Sequence, residues 1–254
     1  IFKIQIENFR LLRNFSMDLE NELSLIIGKN NTGKTSILFV LEKFLNPSEK
    51  NKFSFDDFNI ELKKELKTLI ESHDLVLEEG FVFPGIKLKI FIEYNNHDNL
   101  SNISRVMMDL DPDNNVIVLG FEYTLSYIDF ISMKNAFIEF KRIEELKFAA
   151  DDYIAKGAND FLKLRQADYF DLHKKSFEYD KATGVVNENV YLNLISEEIS
   201  IKEIINFKFI SARRDVTNKE VDKTLSVQTS RIYEKTQSTE EQNNAVDDFK
   251  EKLS

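Results

Sequence analysis

Gly28, Gly33, Lys34 and Thr35 lie in the run LIIGKNNTGKTSIL, Leu25 to Leu38, at the spacing G-x-x-x-x-G-K-[ST]. Each residue type has a task in holding a polyphosphate. Gly28 lets the backbone turn, and Gly33 lets it approach phosphate oxygens without a Cβ in the way. The loop amides and the start of a following helix point partial positive charge at the same place. Lys34 adds a point charge for the β- and γ-phosphates, and the Thr35 hydroxyl is placed to join Mg²⁺. Asn30, Asn31 and Thr32 fill the loop and Ser36 follows it, completing the expected nucleotide-binding set. The chain has only 7 glycines in 254 residues. A chance match at all four fixed positions is then on the order of one in several hundred.

Such a loop needs a strand before it and a helix after it. The run Leu23–Ile27 predicts a buried strand, and KTSILFVLEKFL has apolar residues at helical spacing, with Pro47 discouraging continuation beyond Asn46. Upstream, IFKIQI (residues 1–6) predicts a strand, followed by a turn region carrying Arg10 and Arg13 and a second strand near Phe15–Leu19. NKFSFDDFN reads as a polar-aromatic connection, and the stretch from Ile60 as a helix with Leu62, Leu66, Leu69 and Ile70 biased to one face. From Gly80 the texture changes. Ile86, Leu88, Ile90 and Ile92 alternate with Lys87 and Lys89, a strand pattern. SRVMMDLDPDNNVIVLGFEYTLS predicts two strands joined at Asp111–Asn115.

Residues 131–175 are helical in texture, and a short hairpin is expected around Ala182–Gly184. Ser196, with Glu197 and Glu198 behind it, predicts a helix start, feeding a strand FKFISA that ends at Arg213 and Arg214. From Thr217 the chain is polar. The expected division is residues 1–130 with the loop and an antiparallel sheet, 131–190 mainly helical, and 191–254 a returning strand with a polar tail.

Composition narrows the class. No run of about 18 apolar residues offers a membrane span, and no signal-peptide pattern opens the chain. The absence of cysteine excludes a disulfide framework and thiolate metal sites, and fits the cytoplasm. His73, His97 and His173 have no ligand spacing. A net charge of −10 disfavours a surface given over wholly to nucleic acid, while leaving a local basic groove open.

A hydrolytic site needs a second acidic element, an apolar strand ending in Asp and followed by Glu. RVMMD ends at Asp109 in a hairpin strand, and VIVLGFE ends at Glu122 with Gly and Phe where the metal-binding Asp should stand; neither fits. Asn218-Lys219-Glu220-Val221-Asp222 has one residue too many for a guanine-reading motif.

The first 45 residues carry a resemblance. The strand, then Glu7-Asn8-Phe9-Arg10, then an apolar strand and GKNNTGKT resemble the opening of ATPase heads in the SMC/RecF branch of ABC-type ATPases. Within that branch they are most similar to OLD-family ATP-dependent nucleases and related phage-defence ATPases. KFISARRDV (Lys208 to Val216) is similar to a segment those proteins have after their first lobe. The resemblance implies an α/β, ABC-type P-loop ATPase lobe with a mixed sheet, an antiparallel β segment and a helical insert. It also implies ATP and Mg²⁺ as ligands, Arg10 near the nucleotide, head-to-head homodimers and DNA as the target. The family's signature loop, its Asp-Glu element and its Toprim nuclease domain have no clear counterpart. TLSVQTS (Thr224 to Ser230) lacks the glycines that a signature loop needs. The expectation is therefore the N-terminal portion of a longer protein. The alternative is a nucleotide-dependent interaction module that binds ATP without turnover; a small-molecule kinase fits poorly with the early antiparallel sheet.

Overall fold

The computed structural model describes residues 1–72, 81–95, 98, 100–109, 111, 113–147 and 154–210. Ile1–Phe207 form one compact unit; of the other, Lys208–Ser254, only residues 208–210 are described, and they have no regular secondary structure.

Among the described residues six strands form a sheet that is antiparallel at every pairing: β1 (Lys3–Phe9), β2 (Leu12–Asp18), β3 (Ile86–Glu93), β4 (Val116–Thr124), β5 (Asp171–Asp180) and β6 (Val185–Asn193). Their spatial order is β2-β1-β3-β4-β5-β6. Alternation decides which face is inside. Ile6, Leu88 and Phe121 stand in one cross-strand row, Ile4, Ile90 and Leu119 in the next, and all are buried. Helices α1 (Lys34–Leu45), α2 (Ile60–Glu71), α3 (Tyr127–Lys147) and α4 (Ala158–Arg165) pack onto that face through Val40, Phe44, Leu62, Leu66, Phe130, Phe137 and Phe161. The opposite face has its own smaller cluster of Phe91, Val116, Val118 and Phe177. Covered on both faces, β4 is buried along its whole length, which is why VIVLGFEYT is so nearly unbroken in apolar residues.

The α/β architecture with an antiparallel segment is as expected, and so are α1, α2, β3 and the hairpin between β5 and β6. Five local expectations are corrected.

Leu23–Ile27 is not a strand. No described residue pairs with its backbone, and Leu23, Leu25 and Ile27 are 77%, 77% and 82% exposed. Apolar character favours a strand, but only a neighbouring strand makes one. The hairpin expected around Asp111 is also absent. Ser104–Val106 is a 3-10 turn, Asp109 and Asp111 each accept an amide two residues on, and β4 pairs with β3 over eight positions.

Helical texture ends at Asp168, and residues 171–193 enter the sheet as β5 and β6. The helix expected from Ser196 is a turn followed by a 3-10 turn at Ile201–Glu203. There Asn193 Oδ1 takes the amide of Ile195, and Glu198 adopts a left-handed φ of 52° that breaks a helix. Of the strand FKFISA, residues 207–210 are irregular and the remainder lies outside the described residues.

Candidate functional site

The loop enters α1 through Gly33, whose φ of 90° makes it the left-handed N-cap of that helix. A side chain there would be strained by the backbone and would place its Cβ 3.0 Å from Leu12 Cδ2 and 3.7 Å from Leu11 Cβ. The β1–β2 turn therefore lies directly under the helix start. Asn31 is also left-handed, at φ 62°. Alternation of this kind turns successive amides toward one concave side. The amide of Ser36 returns to Gly33 O at 2.9 Å, beginning the helical ladder.

Lys34 folds back over the loop. Its ammonium donates to Gly28 O at 2.6 Å and to Lys29 O, while Thr32 Oγ1 donates to Lys29 O at 2.9 Å. No acidic residue sits in the first turn of α1, so its positive end is unshielded by its own side chains. Lys29 and Lys34 make the loop locally cationic within an acidic chain. Gly28, Asn30, Asn31, Thr32 and Thr35 are exposed, whereas Gly33 and Ser36 are buried. Among the described residues the Thr35 hydroxyl has no hydrogen-bond partner, which suits a hydroxyl that would join a metal ion. The arrangement can hold a polyphosphate and a divalent cation at the N-terminus of α1.

Arg10 stands in the β1–β2 turn with a left-handed φ of 50°. Its Nε and Nη2 reach Asp57 Oδ1 at 2.9 and 2.8 Å, and its amide donates to Asp57 O at 2.8 Å. The guanidinium lies over the rings of Phe9 and Phe39, at 5.1 and 5.0 Å. Asn59 Nδ2 donates to Arg10 O, and Asn8, also left-handed, donates to Gly85 O at 3.1 Å. Glu7-Asn8-Phe9-Arg10 thus forms a rigid corner beside the loop. Arg13 is exposed on β2.

Asp57 was not anticipated. Its side chain is 2% exposed, and Oδ2 receives Lys43 of α1 at 3.1 Å, the Ser54 amide at 3.0 Å and Ser54 Oγ at 3.2 Å. Burial pushes its pKa up, but the Ser54 amide, Lys43 and Arg10 together hold it below the ordinary carboxylate range. Its signal in the sequence was a carboxylate between Phe55 and Phe58, which both turn inward.

The acidic candidates are engaged elsewhere. Glu122 lies on the sheet face away from α1, where it pairs with Lys175 at 2.7 Å and stands opposite His173. Asp109 accepts from Asn114 Nδ2 at 3.1 Å. Arg213, Arg214, Asn218–Asp222, Thr224–Ser230, His73 and His97 lie outside the described residues.

A family profile described as an AAA ATPase domain matches residues 1–254. The chain is also 28% identical over 238 residues to "Endonuclease GajA" of Bacillus cereus (strain HuB5-5), covering 91% of this chain. It spans 31% of the length of that relative. Among the described residues no helix is long and apolar enough to cross a membrane.

Proposed function

The chain belongs to the AAA ATPase domain family, and from that premise we propose that residues 28–36 bind ATP with Mg²⁺. The observation that supports this reading is the loop itself: a left-handed Gly33 opens α1, and the Lys34 ammonium lies across the loop backbone. Backbone amides at the helix start orient the phosphates, and Lys34 exchanges carbonyl partners for phosphate oxygens. Thr35 would hold the cation, which supplies charge neutralisation between the β- and γ-phosphates. Titration of the chain with Mg·ATP tests the assignment. Binding by wild type and none by Lys34→Ala is the expected result, and equal binding by both would sink it.

In the wider reading, the chain is the ATP-binding portion of a longer cytoplasmic protein of the OLD or RecF type. That protein would pair head to head as a homodimer and act on DNA in phage defence or repair. The relative's name, an endonuclease, supports DNA as the target. The nuclease chemistry would then lie in a different part of such a protein.

A second reading has its own support. Glu122, which ends an apolar run, is tied to Lys175 on the far face of the sheet rather than standing beside α1. A chain that holds ATP without an acid to activate water would act as a nucleotide-dependent interaction module. Steady-state phosphate release tests the module, since robust turnover by this chain alone excludes it.

A further inference from the structure

The two structures that frame Gly33 are the β1–β2 turn beneath it and α1 above it, and both are tied to one buried carboxylate. Asp57 Oδ1 takes the turn through Arg10 Nε and Nη2, at 2.9 and 2.8 Å. Asp57 Oδ2 takes α1 through Lys43, at 3.1 Å. The backbone adds a third tie, because the Arg10 amide donates to Asp57 O at 2.8 Å. Ser54 holds the carboxylate still through its amide and hydroxyl, and the guanidinium bridges the turn to α1 by stacking over Phe9 and Phe39. On the other side of the turn, Leu11 and Leu12 are the groups a Cβ on Gly33 would meet. A shift of the turn relative to α1 is therefore a shift of the loop's N-cap.

We propose that Asp57 is a positioning residue for the phosphate loop, clamping the β1–β2 turn to α1 through Arg10 and Lys43 so that the amides around Gly33 keep one geometry. The proposal rests on the ATP-binding reading for its consequence, and on the clamp alone for its mechanics. Geometry of this kind is specific to the guanidinium. Lysine at position 10 would keep the charge but lose the fork that grips Oδ1 while lying flat on two rings. Cutting the other arm, at Lys43, frees α1 from the same carboxylate.

The test uses the whole chain in three variants: Arg10→Lys, Lys43→Met and Asp57→Asn. Amide hydrogen exchange is followed without nucleotide over residues 36–41, whose protected amides begin the α1 ladder at Gly33 O, and, as an internal reference, over β3 and β4. A fluorescent ATP analogue with Mg²⁺ reads affinity. In Arg10→Lys and Lys43→Met the amides at the start of α1 are expected to exchange faster while β3 and β4 keep wild-type protection. Nucleotide affinity is expected to fall on the order of tenfold, the scale on which groups that orient a site act. Asp57→Asn gives the larger effect where it folds, and the other two variants carry the test where it does not.

Unchanged exchange at the start of α1 in both single-arm variants overturns the clamp. So does acceleration in step with β3 and β4, which is what a purely structural ion pair would give. A wild type that binds no nucleotide overturns the ATP reading instead, and leaves the exchange comparison to decide the clamp.

Discussion

The Lys34 ammonium donates to the carbonyl oxygen of Gly28 at 2.6 Å, so the loop's two ends are joined by the side chain proposed to meet phosphate. Phosphate oxygens carry more charge than a carbonyl and compete for the same ammonium. Lys34→Ala is therefore expected to abolish measurable Mg·ATP binding in calorimetric titration. Because the helix N-cap is made by Gly33 and not by Lys34, the variant should melt within a few degrees of wild type.

The two loop glycines should differ. Gly33 is left-handed at φ 90° and meets Leu12 Cδ2, so Gly33→Ala is expected to cost about 1–2 kcal/mol and to disturb nucleotide binding. A Cβ on Gly28 would meet the rotatable Thr32 hydroxyl at 3.1 Å, with no positive φ to strain. Gly28→Ala should cost less in stability. Thermal melts of the two variants, compared at one pH, check the order.

Asp57 predicts an acid limit on stability. Its pKa is lowered in the fold, so the unfolded chain binds its proton more readily. The carboxylate's contribution is complete above the unfolded value, near pH 4, and is lost as pH falls through the lower folded value. Asp57→Asn should remove that dependence. It should also destabilise the chain at neutral pH by about 3 kcal/mol or more, since it leaves Arg10 and Lys43 without their anion. Urea melts from pH 3 to pH 7 measure both.

Packing on the far face of the sheet makes a prediction independent of the loop. The Phe177 ring lies against Gly120, where an added Cβ would fall 2.1 Å from Cε2. Gly120→Ala must displace that ring from its cluster with Phe91 and Val118. A loss of about 1–3 kcal/mol is expected from denaturant unfolding, with ATP affinity unchanged.

Turnover tests the interaction-module reading. The chain by itself should release negligible phosphate from ATP and should leave duplex DNA uncut. Malachite-green and gel assays read both outcomes, and robust hydrolysis would require a catalytic acid near α1.

Much of the site was legible because its determinants are close in sequence. Eight residues from Gly28 to Thr35 carry the loop, and the helix after it follows from apolar spacing and Pro47. β3 was legible from alternation, and the β5–β6 hairpin from a turn-forming stretch around Gly184. What escaped were the long-range partners. Asp57 lies 47 residues from Arg10, and nothing near either one announces the pair. β4 was expected to fold onto its own upstream neighbour, yet β3 offered it eight paired positions.

The sequence alone marked the stretch proposed to hold phosphate, because glycine conformations, amide density and a lysine at fixed spacing are properties of a short stretch of backbone. Only the tertiary structure decided what frames that stretch. Among the described residues it left Leu23–Ile27 without a paired strand, and it tied Arg10 and Lys43 to one carboxylate. It also turned Glu122 away from α1. Pairing and charge neutralisation are made between distant segments, and the chain's local pattern does not say which segments will meet.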